Sequence, residues 1–489
     1  MWKPIAGICR SLARQRAGRL RPWLLIAIAA TGSAQELRLY VTSEAGDRIA
    51  ARQPVHFGTS GTPGAPVFLI DEKVRDQEIV GFGASFLEAG MICLKSLDSA
   101  HQEEVLQALF DPGKGAGFTA MKTVIGATDF QSAGPYYTYD DHPGDIGMKL
   151  FSIRRDLGPA GLVSYIKRAR RYGQFVLQAP MDYPPDWLLF DVNKNQDVNP
   201  KYFDTLALYY LRYLQAYEKQ GIFIDSLSLF NEPGIYCHIT ADKIRDLLRD
   251  HVGPLLANAG VKTKILPAEF PNRGRACNDY PVILDDPGAR KYAGAIGYHG
   301  YEFKDFDKLK QLHHRYPGLK LWMTEVDHSY NTDTPRSAVL PKKDYEDGDF
   351  WGNQIMNDLE SGTSAWIYWN MILDENGGPW LVSPVHRDTD GNQQHPVVII
   401  DRRTKQITYT GLYYYLAHFS KFVRPGAVRI AASGPAGSVR CMAFQAPNGD
   451  LIAEVLNSGK QATTVSLNWR QKVVPLDLPA LSITTCIWR

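Results

Sequence analysis

The chain has 489 residues, 44% of them hydrophobic, which exceeds one ordinary domain and suffices for a barrel with a smaller companion. Its formal charge of +2, from 54 Lys and Arg against 52 Asp and Glu, excludes the basic field that nucleic acid requires. Aromatic residues make up 11%, a content compatible with carbohydrate binding but not diagnostic of it.

Residues 1–34 read as an export signal. Arg10, Arg14, Arg16, Arg19 and Arg21 precede the apolar run 22–30, and Gly32-Ser33-Ala34 offers small residues for cleavage after Ala34. The run is too short to span a bilayer comfortably, and no later stretch approaches that length. A secreted or periplasmic protein without stable membrane insertion is expected. Residues 35–70 follow, strand-like at 36–42 and 48–55, with no helix before about 99. Lacking helices to pair with, these strands are expected to join the C-terminal β domain and make it discontinuous in sequence.

The region 71–422 alternates strand and helix. Strands are predicted at 79–86, 120–126, 175–179, 224–230, 264–267, 295–298, 319–324 and 364–369. Helices are predicted at 100–109, 159–172, 202–220, 240–259, 306–315 and 349–361, the fourth opened by Thr240 and closed by Gly260. Eight strands in this alternation predict a closed parallel (β/α)₈ TIM barrel. Residues 423–489 change to period two at 439–446, 451–457, 463–469 and 482–488. Pro447-Asn448-Gly449-Asp450 forms a hairpin signal there, and an appended antiparallel β-sandwich is expected.

Cys9 leaves with the signal, and Cys93, Cys237, Cys277, Cys441 and Cys486 remain, an odd number. Their pairing is open; Cys441 and Cys486, both on strand-like segments, are the pair to examine for an intradomain disulfide. No Cys/His cluster has zinc spacing. Asp388-Thr389-Asp390-Gly391-Asn392 is rejected as an EF-hand because Ile399 holds the twelfth position. Gly81-Phe82-Gly83 lacks the third glycine of a dinucleotide loop, and Asp140-Asp141 with Asp145 reads as a solvated loop. No metal or cofactor is expected.

The chemistry sits on two glutamates. Glu232, in Ser228-Leu229-Phe230-Asn231-Glu232-Pro233, and Glu325, in Leu321-Trp322-Met323-Thr324-Glu325, each follow a short apolar run. A carboxylate at the carboxyl end of a barrel strand lies where such barrels build active sites. Their separation, 325 − 232 = 93 residues, leaves room for three βα units. That is the layout of a glycosidase with one glutamate as acid/base, Glu232, and one as nucleophile, Glu325. Asn231 can donate to the sugar 2-OH, and Tyr301 can donate to Glu325. His299 is a further substrate contact or a satisfied structural residue; for Asn231 and Tyr301 the alternatives are a turn residue and a packed tyrosine.

With these motifs in hand, the chain from about Val80 to its C-terminus resembles glycoside hydrolase family 30, the family of lysosomal glucosylceramidase. Further landmarks are Asp129-Phe130, Tyr137-Thr138-Tyr139-Asp140, Trp366-Ile367-Tyr368-Trp369-Asn370, Gly377-Gly378-Pro379-Trp380 and His418-Phe419-Ser420-Lys421-Phe422. The resemblance implies a barrel fused to a β-sandwich, a retaining β-glycosidase, and Trp369 as the floor of the −1 sugar site. The chain departs from glucosylceramidase-like members at Glu88 (Asp in them), Met181-Asp182 (Trp in a Ser-Pro-Trp stretch), Lys122 (Arg) and Gly300 (Trp). The first two family positions bind sugar hydroxyls, so Glu88 and Asp182 put glucose specificity in question. Glu88, Lys122 and Asp182 read either as substrate contacts or as a salt-bridge network.

The leading expectation is an exported retaining β-glycosidase acting on a carbohydrate or glycoconjugate, of glucosylceramidase, β-glucosidase or β-xylosidase type. Alternatives are a xylanase or β-1,6-glucanase of the same family, or a non-catalytic carbohydrate-binding relative. A metal-dependent hydrolase is disfavoured by the lack of a His-x-His strand motif. Sugar, linkage, endo or exo action and oligomeric state stay open.

Overall fold

The computed structural model describes residues 35–128, 130–131, 137–158, 161–190, 197–235, 237–330, 344–379 and 393–489. The export segment, Asp129, Trp380 and the loop 388–392 lie outside the described residues.

The barrel strands are Gly81–Ser85, Ala120–Lys122, Val176–Pro180, Ser226–Ser228, Lys264–Leu266, Ala295–His299, Lys320–Glu325 and Thr363–Asn370, with every neighbouring pair parallel. The fifth strand is broken at Pro267 and resumes at Glu269–Phe270. Its first part pairs with the fourth strand and its second with the sixth, so the break is where the ring closes. Proline cannot donate to a ladder, which accounts for the interruption. Bridges Asn231↔Glu269 and Ile265↔Ala293 carry the seam across it.

The barrel interior is filled by one large side chain among small ones. Trp322 packs with Ala120, Ala295, Ala365, Leu266 and Ile367. Gly83 on the first strand has no room for a Cβ, which would lie 2.1 Å from the Ala120 carbonyl oxygen. The helix expected over 240–259 is present as Ala241–Asp246, a wider π-helical turn Leu247–Val252, and Gly253–Asn258. The wide turn precedes Pro254, whose missing N–H an unbroken α-helix would not accommodate. Helix Glu88–Lys95 corrects the expectation of no helix before about 99, and helices Arg273–Leu284, with Pro281 in its interior, and Gly411–Phe422 were not expected from sequence either.

The second sheet has nine strands in the order Ala50–His56, Glu36–Ser43, Ser482–Trp488, Leu451–Asn457, Val439–Gln445, Val428–Ser433, Val67–Glu78, Thr463–Trp469 and Lys472–Leu478. Residues 67–70 run parallel to 466–469; the other pairs are antiparallel, so the sheet is not purely antiparallel. Phe57, Trp469 and Trp488 pack in its core at tilted and edge-to-face angles, with ring centroids 5.7, 5.8 and 6.1 Å apart. The five described cysteines are free, which corrects the disulfide considered for Cys441 and Cys486. Cys441 pairs with Val455 and Cys486 with Ala453, on opposite sides of strand Leu451–Asn457. Two strand spacings, roughly 9.5 Å, exceed disulfide reach.

Helix Gly411–Phe422 joins the two parts. Phe419 packs on Phe82 of the barrel, with centroids 5.7 Å apart, and Phe422 packs on Tyr40 of the sandwich at 4.7 Å. Among the described residues no helix is long and apolar enough to cross a membrane.

Candidate active site

The carboxyl ends of strands two, four, five, six and seven bring one charged cluster together. Lys122 ends strand two, Asn231 and Glu232 follow strand four, Glu269 opens the resumed strand five, His299 ends strand six and Glu325 ends strand seven. All are buried, with Glu232 at 6% and Glu325 at 5% exposure keeping a narrow opening to solvent.

Lys122 is the hub. Its Nζ donates to Glu325 Oε2 at 2.7 Å, Glu269 Oε2 at 3.0 Å and Asn231 Oδ1 at 3.3 Å, using all three ammonium hydrogens. Three separate acceptors suit a point charge better than a planar guanidinium, which makes sense of lysine at this position. Lys122 Nζ also lies 4.8 Å from the centroid of the Trp369 ring. Burial alone would lower the Lys122 pKa, but the charges of Glu269, Glu325 and Asp182 outweigh it and the net shift is upward.

His299 links the carboxylates. Its Nδ1 is 2.9 Å from Glu232 Oε1 and 3.5 Å from Glu325 Oε1, and its Nε2 is 3.4 Å from Glu269 Oε2. Burial opposes charging of His299, yet Glu325 and Glu232 raise its pKa to about 10. Tyr301 donates from its hydroxyl to Glu325 Oε1 at 3.1 Å. Burial pushes the Glu232 carboxyl up, Glu325 adds to that, and His299 opposes it, leaving a net rise.

Glu232 is held in a strained backbone. Its φ is 44°, in the left-handed region, which costs a non-glycine residue about 1–3 kcal/mol. The Glu232 N–H donates to the Glu269 carbonyl at 2.8 Å, and its carbonyl accepts from Ile235 at 2.9 Å, fixing that turn.

Lys122, Asn231, Glu232, His299, Tyr301, Glu325 and Trp369 therefore converge. Asp182, which follows strand three, is buried and near enough to raise the Lys122 pKa through its charge. Glu88 stands apart: its carboxylate pairs with Arg155 at 3.1 Å, in a pocket also lined by Thr128, Tyr137 and Asp156. At Gly300 a Cβ would come within 3.0 Å of Val326 and 3.1 Å of Met323 Sδ, so a larger residue there would require these side chains to shift.

Glu269 escaped the sequence reading. Wholly buried, it accepts from Lys122 and from Gln178 and contacts His299. Burial would raise its carboxyl, but Lys122 and His299 hold it down at about 2. The signal was available, a carboxylate at a barrel strand's carboxyl end, but Pro267 placed the strand end too early.

Glu232, His299 and Glu325 offer atoms within 4.8 Å of one another, a spacing that could hold a metal ion. Lys122 already neutralises Glu325 at 2.7 Å, and a charged His299 has no lone pair to give.

The model for the glycosyl hydrolase family 30 TIM-barrel domain matches residues 79–423, and that for the family 30 beta sandwich domain matches 426–486. The chain is 29% identical to putative glucosylceramidase 1 of Caenorhabditis elegans over 87% of this chain and 82% of that protein. It is 30% identical to an endo-1,6-beta-D-glucanase of Neurospora crassa over 77% of each. A solved endo-β1,6-glucanase structure superposes with a TM-score of 0.80 at 22% identity, covering 93% of this chain and 99% of that chain. The chain belongs to glycosyl hydrolase family 30 and is a glycoside hydrolase.

Proposed function

We propose that the protein is an exported β-glucoside hydrolase that works with retention of configuration, Glu232 as acid/base and Glu325 as nucleophile. The carrying observation is the distance between them: one carboxylate oxygen of each lies within 4.8 Å of the other. Direct attack by one carboxylate goes with carboxyl groups about 5–5.5 Å apart, and inversion with about 6.5–9.5 Å.

The environments of the two residues divide their roles. The buried Glu232 keeps its proton to higher pH and can deliver it to the glycosidic oxygen as that bond breaks. Glu325, between the Lys122 ammonium and the Tyr301 hydroxyl, attacks the anomeric carbon. Lys122 donates to Asn231 Oδ1, which leaves the Asn231 amide N–H groups to face the sugar 2-OH. Trp369 supplies an apolar platform beneath the ring. In the second half Glu232 takes a proton from water, which attacks the same carbon and frees Glu325.

A β-glucoside is proposed because the similar proteins are named as a putative glucosylceramidase and as an endo-1,6-beta-D-glucanase, and a glucosyl unit is common to both names. The test is NMR of the first product from an aryl β-glucoside and from a β-1,6-gluco-oligosaccharide. The β-anomer is expected first. An initial α-anomer would overturn retention, and hydrolysis of β-xylosides in preference to β-glucosides would overturn the sugar.

A further inference from the structure

Glu269 has no place in the two-glutamate mechanism, although it is as deeply buried as any charged group in the barrel. One of its oxygens, Oε2, is 3.0 Å from Lys122 Nζ and 3.4 Å from His299 Nε2, while the other accepts from Gln178 Nε2. Those two cations serve different catalytic carboxylates: Lys122 is 2.7 Å from Glu325, and His299 is 2.9 Å from Glu232. We propose that Glu269 is a positioning residue that anchors both cations through one shared oxygen, and that its fixed negative charge offsets one of those two positive charges through both halves of the double displacement. This rests on the retaining reading above.

The charge count carries the argument. In the resting enzyme Lys122 and His299 are positive, Glu269 and Glu325 negative, and Glu232 protonated, so these five groups sum to zero, with the Asp182 charge beside Lys122 outside the sum. In the first half the C1–O bond to the leaving group breaks as a Glu325 oxygen bonds to C1. The Glu232 proton goes to the departing oxygen. Glu325 is now a neutral ester and Glu232 an anion, so the sum is again zero. The negative charge has moved from Glu325 to Glu232, and His299 Nδ1 lies within 2.9 Å of one and 3.5 Å of the other. In the second half water attacks C1, its proton goes to Glu232, and the ester bond to Glu325 breaks. Without Glu269 these five groups would hold one excess positive charge in each state and both cations would lose their shared anchor, a costly condition in a low-dielectric site.

The groups facing this cluster are Lys122 on strand two, Asp182 after strand three, Glu232 after strand four, His299 and Tyr301 from strand six, and Glu325 on strand seven. Tyr280, from helix Arg273–Leu284, lies beside Glu269, which helps to raise the Tyr280 pKa after burial. Removing the Glu269 charge takes one anion away from the two cations beside Glu232, so its proton is lost more readily.

The test is the pH profile of kcat/KM for Glu269→Gln and Glu269→Asp in the full-length enzyme. Glu269→Gln is expected to lower kcat/KM about 10²-fold and to move the basic limb to lower pH by roughly one unit. Glu269→Asp keeps the charge and should keep the wild-type limb while losing rate. A Gln variant whose limb stays in place, whatever its rate or Tm, overturns the proposal. If Glu269→Gln does not fold, ¹⁵N-histidine NMR of the wild-type enzyme decides: His299 should carry protons on both ring nitrogens at pH 7, and a neutral ring overturns the proposal. Failure of the retaining reading looks different, as an initial α-anomer or an active Glu325→Gln variant.

Discussion

Around Glu269 and around Glu454, a histidine and a glutamate are packed completely out of solvent, in the barrel and at its contact with the sandwich. The pairs are geometrically similar, His299 Nε2 lying 3.4 Å from Glu269 and His418 Nδ1 lying 3.8 Å from Glu454. Their charge states are opposite. Burial opposes charge at all four residues, but in the barrel Lys122, Glu325 and Glu232 reverse it, so His299 rises to about 10 and Glu269 falls to about 2. At the interdomain contact burial wins: His418 falls to about 3 and Glu454 rises well above the carboxylate range. There a neutral hydrogen-bonded chain replaces the ion pair. Thr485 donates to Glu454 at 2.7 Å and accepts from His418 Nδ1 at 2.7 Å, while Thr42 donates to His418 Nε2 at 2.9 Å. One histidine and one carboxylate do not make a buried salt bridge; further charges must be supplied, and the barrel supplies them where chemistry needs them.

The comparison breaks most visibly at the ionic cluster. Glu325→Gln should remove turnover, a loss on the order of 10⁵ or more as for other nucleophile deletions, while sugar binding and the far-UV spectrum persist. Near wild-type activity of the purified variant would show that the cluster serves another nucleophile. Glu232→Gln should lose about 10²–10⁴ in rate on substrates with poor leaving groups and much less on activated aryl glycosides. A leaving-group series with uniform losses would remove Glu232 from the acid role and with it the reason for its raised pKa.

Both clusters were only partly legible in the sequence. The eight-strand alternation and the two strand-end glutamates followed from short apolar runs, His299 from its place at the end of a strand, and Lys122 from the family resemblance alone. Glu269 was lost because Pro267 resembles a strand terminus, whereas the strand resumes after one further residue to close the barrel. Local pattern cannot report a ring closure, which depends on strands far apart in sequence. The same reason hid the Glu454 chain: Thr42, His418, Glu454 and Thr485 come from the two ends of the molecule and meet only when the N-terminal strand enters the C-terminal sheet. For Glu88 the sequence left a substrate contact and a salt bridge open, since alignment with a sugar-binding position does not fix what a residue meets, and the structure pairs it with Arg155.

The smallest effect is the sharpest test of the contrast, and it lies in Glu454→Gln. Native Glu454 holds its proton where an unfolded glutamate, with an ordinary value of 4.5, has given it up. Above that pH the unfolded state binds fewer protons than the native state, so this residue makes stability fall as pH rises. Glutamine has no proton to lose and can still accept from Thr485. Unfolding by urea at pH 5, 6.5 and 8 should therefore find the variant close to wild type at pH 5 and increasingly favoured above it, by no more than about 1.4 kcal/mol per pH unit. Glu269→Gln should behave inversely. The native value near 2 lies below the ordinary 4.5, so the wild-type charge stabilises fully above 4.5, and that contribution is lost as pH falls toward 2. A difference between wild type and Glu454→Gln that stays flat from pH 5 to 8 would mean that Glu454 is ionised in the native protein, and the two clusters would then share one charge state.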